Sequence, residues 1–402
     1  KQLRVLVLED VNVINLPGSI GRLRHLRYID IVETYIMTLP DSISELYLFQ
    51  TLRIRCLSML PKRFEKLISL RHLYFKEIKN SLGCMFIGIR RITSLQFLSL
   101  FVVCHARGCL IEELGGLDNL SSELTIYVEN VKNLDDLRKA NLDKKSKIQS
   151  VRFYWPRMNN DDEQNDKDVL EGLKPHANIK QLRIENFKGK CFAMWMAMLQ
   201  NLVRVKVVDC HRCDQLPMLG HLPHLTVARI KGMDNVTCIG IEFYGLQNCI
   251  NSNVTSGDSS AAVRVSFPSL RKLTLARLYN LEEWMEAGEI DGPLLRLKSR
   301  LNIFPCLEEL VIEDCPVLKR IPGHFPSLKR LYICELNDSV ALEKMSRGLS
   351  SLSELKLWGI GGPKIELVLE QLLRGNSASL REVVIIGCSQ LKKLPTDCLE
   401  LC

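Results

Sequence analysis

The sequence predicts an α/β solenoid, a stack of about fifteen short parallel strands joined by irregular return paths, on three observations. A six-residue phrase, apolar at its first, fourth and sixth positions, recurs fifteen times, from LRVLVL at Leu3 to LREVVI at Leu380. Its spacing is mostly 21 to 28 residues, the period of a leucine-rich repeat, in which each unit gives one strand and one return path. Polar residues stand between the apolar ones, and strand alternation sends the two sets to opposite faces. One such strand buries nothing by itself, whereas stacked neighbours about 4.8 Å apart share one ladder and one core. The predicted fold is thus a leucine-rich-repeat solenoid (horseshoe) with a parallel β-sheet on its concave face. Its inner arc of about 70 Å suits a folded partner rather than a metabolite.

The phrases at Leu3, Leu26, Phe49, Leu70 and Leu95 predict the first five strands. Leu-Pro elements follow the first three, in INLPGSIGRL from Ile14, MTLPDSISEL from Met37 and SMLPKRFEKL from Ser58. Proline ends the extended stretch there and opens a short helical turn. Return paths lengthen from Leu114, and residues 134–148 have the spacing of a short amphipathic helix. Ten further strands are predicted from Ser121, Ile148, Ile179, Leu202, Leu225, Leu270, Leu307, Leu328, Leu352 and Leu380. Loop insertions are expected near 157–168, which is acidic, near 246–266, which is poor in large apolar side chains, and near 286–302, which lengthens its repeat. One domain is expected over 1–402, regular and basic through residue 113 and irregular over 114–402, because a solenoid core grows lengthwise. Lys1 stands directly before a repeat with no charged-then-apolar leader, so the chain reads as a fragment whose targeting or catalytic segments could lie outside it.

Composition narrows the function. Hydrophobic content of 46% with 25% charged residues is globular, and no apolar run reaches the eighteen or so residues that span a membrane. The net charge of +8 resides in residues 1–110, which hold 16 Lys and Arg against 8 Asp and Glu. Arg4, Arg27, Arg53, Arg55, Arg71 and Lys76 occupy outward positions in or beside their phrases and predict a basic concave patch for an acidic partner. Clustered cations also attract nucleic acid, a reading disfavoured without a recognised DNA-binding motif. Fifteen cysteines, an odd number, argue for reduced thiols and a cytoplasmic setting. Cys210, Cys315 and Cys388 each fall three residues after the last apolar position of a phrase, where the repeat turns inward.

No GxxxxGK[ST], GxSxG or HExxH pattern is present, and an enzyme is not expected. Cys210, His211, Cys213, His221 and His224 form the best metal-like group, read as structural because a second CxxC is missing. Arg152, Tyr154, Trp155, Arg183, Lys206, Arg229, Lys231, Thr274, Arg277, Tyr332 and Trp358 lie at or just after outward positions and are the candidate partner contacts. For each of them taken singly, ordinary surface decoration remains the competing reading.

The middle of the chain goes beyond generic repeats. ANLDKKSKIQSVRFYW from Ala140, VLEGLKPHANIKQLRI from Val169 and LVRVKVVDCHRCDQLPMLGHLPHLTVARIKGMDNVTCIGIEFYG from Leu202 closely resemble the repeat region of plant nucleotide-binding immune receptors of the coiled-coil class. FPSLRKLTLARLYNLEEW from Phe267 and FPCLEELVIEDCPVLKRIP from Phe304 continue the match; Ala193 and Met218 are small departures. The resemblance implies an intracellular sensor, cytoplasmic with the nucleus allowed, that meets a pathogen effector or a guarded host protein. It implies restraint of the receptor's own coiled-coil and nucleotide-binding domains, with ATP or ADP held there and no cofactor in this chain. An acidic motif of the coiled coil would dock on arginines of the early repeats, matching Arg4, Arg27, Arg53, Arg55 and Arg71 in kind. The rival readings are a general intracellular scaffold or substrate adaptor and, more weakly, a cell-surface ectodomain with glycans at Asn119, Asn235 or Asn253.

Overall fold

A computed structural model of the chain describes residues 2–57, 60–76, 88–103, 110–129, 131, 136–156, 166–246, 264–286 and 301–394. The residues divide into two compact units, 1–182 and 183–402.

In the first unit each early phrase makes a strand: β1 (Val5–Val7), β2 (Tyr28–Ile31), β3 (Thr51–Ile54), β4 (His72–Phe75) and β5 (Phe97–Leu98). They pair in parallel and in chain order, with Val5, Tyr28, Thr51, His72 and Phe97 in one row. Leu26, Ile29, Ile31, Phe49, Leu52, Ile54, Leu70 and Leu73 are fully buried beneath the ladder. Each such side chain contributes about 1.5–3 kcal/mol by leaving water. The ladder breaks at Ser99, whose hydroxyl accepts from the Phe75 amide at 2.8 Å and stands 3.2 Å from the Phe75 carbonyl. A second sheet then starts with β6 (Leu100–Val103), β7 (Ser122–Val128) and β8 (Ile148–Tyr154), Leu100 standing opposite Thr125.

The Leu-Pro elements behave as predicted. Tight 3-10 turns, Gly18–Arg22 and Asp41–Glu45, start directly after the extended Pro17 and Pro40, and a third covers Phe64–Lys66. Residues 58 and 59 of that third element lie outside the described residues. The turns stack closely: a Cβ on Gly21 would stand 2.5 Å from the Ser42 carbonyl oxygen. Residues 134–148 differ from expectation. The described part forms two 3-10 turns, Leu137–Ala140 and Leu142–Lys144, separated by Asn141 at φ 50°. Leu137, Ala140 and Leu142 still bury, so two tight turns satisfy the apolar spacing that suggests one helix.

The second unit carries β9 (Gln181–Glu185), whose last three residues belong to it, β10 (Arg204–Val208), β11 (Val227–Lys231), β12 (Cys238–Ile239) and β13 (Arg264–Ser266). These are followed by β14 (Lys272–Ala276), β15 (Glu283–Trp284), β16 (Leu301–Ile303), β17 (Glu309–Glu313), β18 (Arg330–Leu336), β19 (Glu354–Ile360) and β20 (Glu382–Ile386). The main sheet runs β9-β10-β11-β14-β17-β18-β19-β20. Two small parallel pairs, β12 with β15 and β13 with β16, lie in the return paths. Of the three insertions, residues 157–165, 247–263 and 287–300 lie outside the described residues. Their described ends are ordered instead of looped: Asp166 opens the helix Asp166–Gly172, and 264–266 and 301–303 are β13 and β16.

Two columns hold this unit together. Phe267, Phe304 and Phe325 each stand three residues before a strand phrase and stack with centroids 4.9 and 5.7 Å apart, flanked by Phe243, Tyr244 and Trp284. The polar atoms of that core are satisfied within it, Trp284 Nε1 donating to the Tyr244 hydroxyl and the hydroxyl to the Met285 carbonyl. The second column is a left-handed residue at the eighth position of each phrase: Asn186, Asp209, Gly232, Arg277, Asp314, Glu335, Gly359 and Gly387 all have positive φ. It turns the chain inward to the ninth position of the phrase, where Cys210 and Cys315 are buried and Cys388 is partly so, as the sequence predicts.

Candidate partner-binding faces

Positions three, five and seven of each phrase point away from the core, so the register fixes what a partner would meet. In the first unit the row Val7, Asp30, Arg53, Tyr74 runs along the middle of the sheet. Arg53 is the one predicted cation in it, with Nε 2.9 Å from the Asp30 carboxylate and its guanidinium 4.8 Å from the centre of the Tyr74 ring. Arg4, Arg27 and Arg71 sit at position two, just before their strands, where the backbone continues the ladder from the Arg27 amide to the Arg4 carbonyl at 2.8 Å. All three are exposed, and among the described residues none has an ion pair. Arg55 and Lys76 follow the far ends of β3 and β4, and Lys76 pairs with Glu33 at 2.5 Å. The single basic patch expected from sequence is therefore divided: along one edge an arginine row with no ion pair among the described residues, a centre where Arg53 meets Asp30, and Lys76 paired with Glu33 at the other edge.

On β8, Arg152 lies 5.5 Å from the centre of the Tyr154 ring, which stacks on Tyr127 at 5.1 Å. Burial lowers the Arg152 guanidinium from its ordinary value and pushes the Tyr127 hydroxyl up to about 12, with Glu129 adding to the latter. Trp155 is a correction. It is buried, 6.4 Å from Phe153, not displayed for a partner. No left-handed residue interrupts the alternation here, so the chain places Phe153 inward, Tyr154 outward and Trp155 inward again.

In the second unit the row of position five reads Lys206, Arg229, Thr274, Val311, Tyr332, Lys356, Val384. Arg229 is exposed and Lys231, in the row of position seven, is half-exposed. Arg183 pairs with Glu185, and Arg277 reaches across Gly232 to Asp209. Thr274 is the second correction: it belongs to the outward row but is buried, standing between Arg229 on β11 and Val311 on β17. Tyr332 lies 5.3 Å from the Lys356 ammonium, and Trp358 is 55% exposed, the largest aromatic surface on this face.

Position three was the signal passed over in the sequence. It places Arg204, Lys272, Glu309, Arg330, Glu354 and Glu382 on the same face. From β14 to β20 these charges satisfy one another: Lys272 and Arg330 meet Glu309, and Lys356 lies 2.6 Å from Glu354 and 3.2 Å from Glu382. The two glutamate hydrogen bonds raise Lys356 to about 12, and burial first, then the Glu354 bond, raises the Tyr332 hydroxyl to about 12.

The metal-like group is dispersed. The Cys210 thiol points to the Val208 carbonyl at 3.5 Å and the Cys213 thiol to that of Gly189 at 3.1 Å. His211 pairs with Asp234 at 2.9 Å, and the His221 ring meets the Ala197 carbonyl at 2.6 Å. Among the described residues no three His, Cys, Asp or Glu side chains are grouped to hold a metal, and no helix is long and apolar enough to cross a membrane.

Comparison with known proteins adds to this geometry. Residues 111–233 match the family described as R13L1/DRL21 leucine-rich repeats. The disease resistance RPP13-like protein 1 of Arabidopsis thaliana is 32% identical over 84% of this chain and 32% of its own length. The disease resistance proteins RGA2 and RGA1 of Solanum bulbocastanum are each 32% identical, over 76% and 98% of this chain and 27% and 37% of their own lengths. The chain thus spans about a third of the length of these relatives. Among solved structures, a leucine-rich-repeat protein of Leptospira interrogans aligns with a TM-score of 0.42 at 17% identity, covering 78% of this chain and 79% of its own. The functional domain of InlJ from Listeria monocytogenes aligns with a TM-score of 0.43 at 13% identity, covering 91% and 71%.

Proposed function

Because this chain is a leucine-rich-repeat region of the plant disease resistance family, we propose that it senses a ligand and restrains a switch within a longer immune receptor. It acts by contact, not catalysis. The observation that carries this reading is a parallel ladder whose outward rows change in chemistry from strand to strand while the inward rows stay apolar. Such a face varies without cost to the fold, as recognition of changing partners requires.

In this reading the face of β10 to β20 meets a pathogen effector or a guarded host protein, with Tyr332 and Trp358 as aromatic anchors. The arginine row of Arg4, Arg27 and Arg71 docks the receptor's own coiled-coil and nucleotide-binding domains, and ATP or ADP belongs to those domains, not to this chain. The setting is intracellular. A ligand that prefers the released receptor shifts it toward signalling by that difference in affinity.

The test is made in the full receptor. Reversing Arg4, Arg27 and Arg71 together to Glu is expected to raise signalling without effector, read as cell death in leaf tissue. Exchanging residues 179–394 with those of a relative of different specificity is expected to carry the response with the exchanged block. Unchanged resting activity in the first experiment together with no transfer in the second defeats the proposal.

A further inference from the structure

The charges on the second unit's sheet are distributed unequally, and the inequality marks a site. On β17 to β20 every outward cation lies beside a carboxylate: Arg330 on Glu309 at 3.1 Å, Lys356 between Glu354 and Glu382. On β10 and β11 the pattern stops. Arg204 and Lys206 lie on one strand and Arg229 and Lys231 on the next, with Lys206 directly opposite Arg229 in the register. Arg204 and Arg229 are exposed, Lys231 is half-exposed, and among the described residues none of these three has an ion pair. The other outward positions of the two strands are Val208 and Val227, which offer no charge.

Arg204, Arg229 and Lys231 thus hold three positive charges on two adjacent strands, and β11 lies two strands from the carboxylates of β17. We infer that the Arg204, Arg229 and Lys231 cluster on β10 and β11 is a docking site for a short acidic protein segment. The inference rests on the recognition role proposed above and specifies its partner chemistry. The patch is two strands wide, about 5 Å across and roughly 7–14 Å along the strands, which fits two or three carboxylates. Guanidinium groups pair with carboxylates through two parallel hydrogen bonds, so two of the three cations add direction as well as charge. A nucleic-acid backbone fits less well. Beyond these cations the charges of the same sheet are already paired, Lys272 and Arg330 with Glu309 and Lys356 with Glu354 and Glu382, so a long phosphate chain would run off the site without further cations to meet.

The test uses the whole chain and two labelled probes, a Glu-Ser decapeptide and a single-stranded oligonucleotide, with binding read by fluorescence anisotropy at low salt. The R204E/R229E/K231E variant is expected to weaken peptide binding by about tenfold or more, and added salt to weaken the parent chain's binding. R204Q/R229Q/K231Q removes the charge without reversing it and is expected to follow in the same direction, which guards against a folding artefact. Reversal of Arg4, Arg27 and Arg71 is expected to leave the component lost in the triple variant intact. Peptide affinity that stays within about twofold in both triple variants overturns the inference, as does an oligonucleotide that binds through these cations while the peptide does not. If the 179–394 exchange carries the response but the triple variants bind peptide normally, the acidic site alone fails. If the triple variants lose the peptide but no exchange carries a response, the acidic site stands and the recognition role fails.

Discussion

Cys210 and Cys315 occupy the same place in their repeats, just past the left-handed turn, and burial pushes both thiols up to about 12. An unfolded chain would ionise them from their ordinary 9.0, while the folded chain keeps both protons. The folded state therefore binds more protons between those values, and stability falls as pH rises from about 9 toward 12. At pH 8 the folded protein is expected to leave Cys210, Cys213 and Cys315 unalkylated while the exposed Cys191 and Cys306 react, as peptide mass spectrometry would show. Rapid native-state labelling of Cys210 would contradict the burial. The position of these cysteines was legible because it depends only on counting from a strand phrase. Trp155 and Thr274 were not legible by the same counting. Trp155 is buried because β8 lacks the left-handed turn of other repeats, and Thr274 stands between cross-strand neighbours, neither of which the six-residue phrase encodes.

The repeating element adds a constraint that no single repeat contains. Asp209, Gly232 and Arg277 are successive members of the left-handed column, and the Arg277 guanidinium crosses the middle member to reach the Asp209 carboxylate. Gly232 makes this contact possible: its φ is 71°, and a Cβ there would stand 2.6 Å from Asp209 Oδ1. Gly232→Ala combines a strained backbone with a displaced carboxylate and is expected to cost about 1–3 kcal/mol, read as a lower urea midpoint. Arg277→Ala, which strands the mostly buried Asp209, should move the midpoint in the same direction; a double variant no worse than either single change would confirm that both act on one contact. All fifteen phrases became strands because inward apolar positions leave a strand no other way to bury them. The pairs β12 with β15 and β13 with β16 escaped notice because return paths carry no repeated phrase, and their short strands gain order only from the neighbouring repeat.

At the scale of the molecule, stability in stacked repeats is a sum over neighbours, since each repeat touches little beyond the next. The second unit departs from uniformity in its aromatic spine, and Phe304 is its centre, within 4.9 to 6.1 Å of Phe267, Phe325, Tyr244 and Trp284 ring centres. That ring ties the return paths preceding β14, β17 and β18, bridging the long connections that follow β11 and β14. Phe304→Ala leaves a cavity where four rings meet and is expected to cost about 3–5 kcal/mol. The loss should not be uniform. Hydrogen exchange is expected to quicken most in β17, less in β14 and β18, and least in β10 and β20, a gradient that follows the strand order. If protection instead fell equally from β10 to β20, the unit would be one cooperative core and the nearest-neighbour account would fail. A graded loss carries a consequence for recognition: the outward face of β10 and β11 could keep its geometry while distant repeats change, so evolution could alter one stretch of the surface without rebuilding the rest.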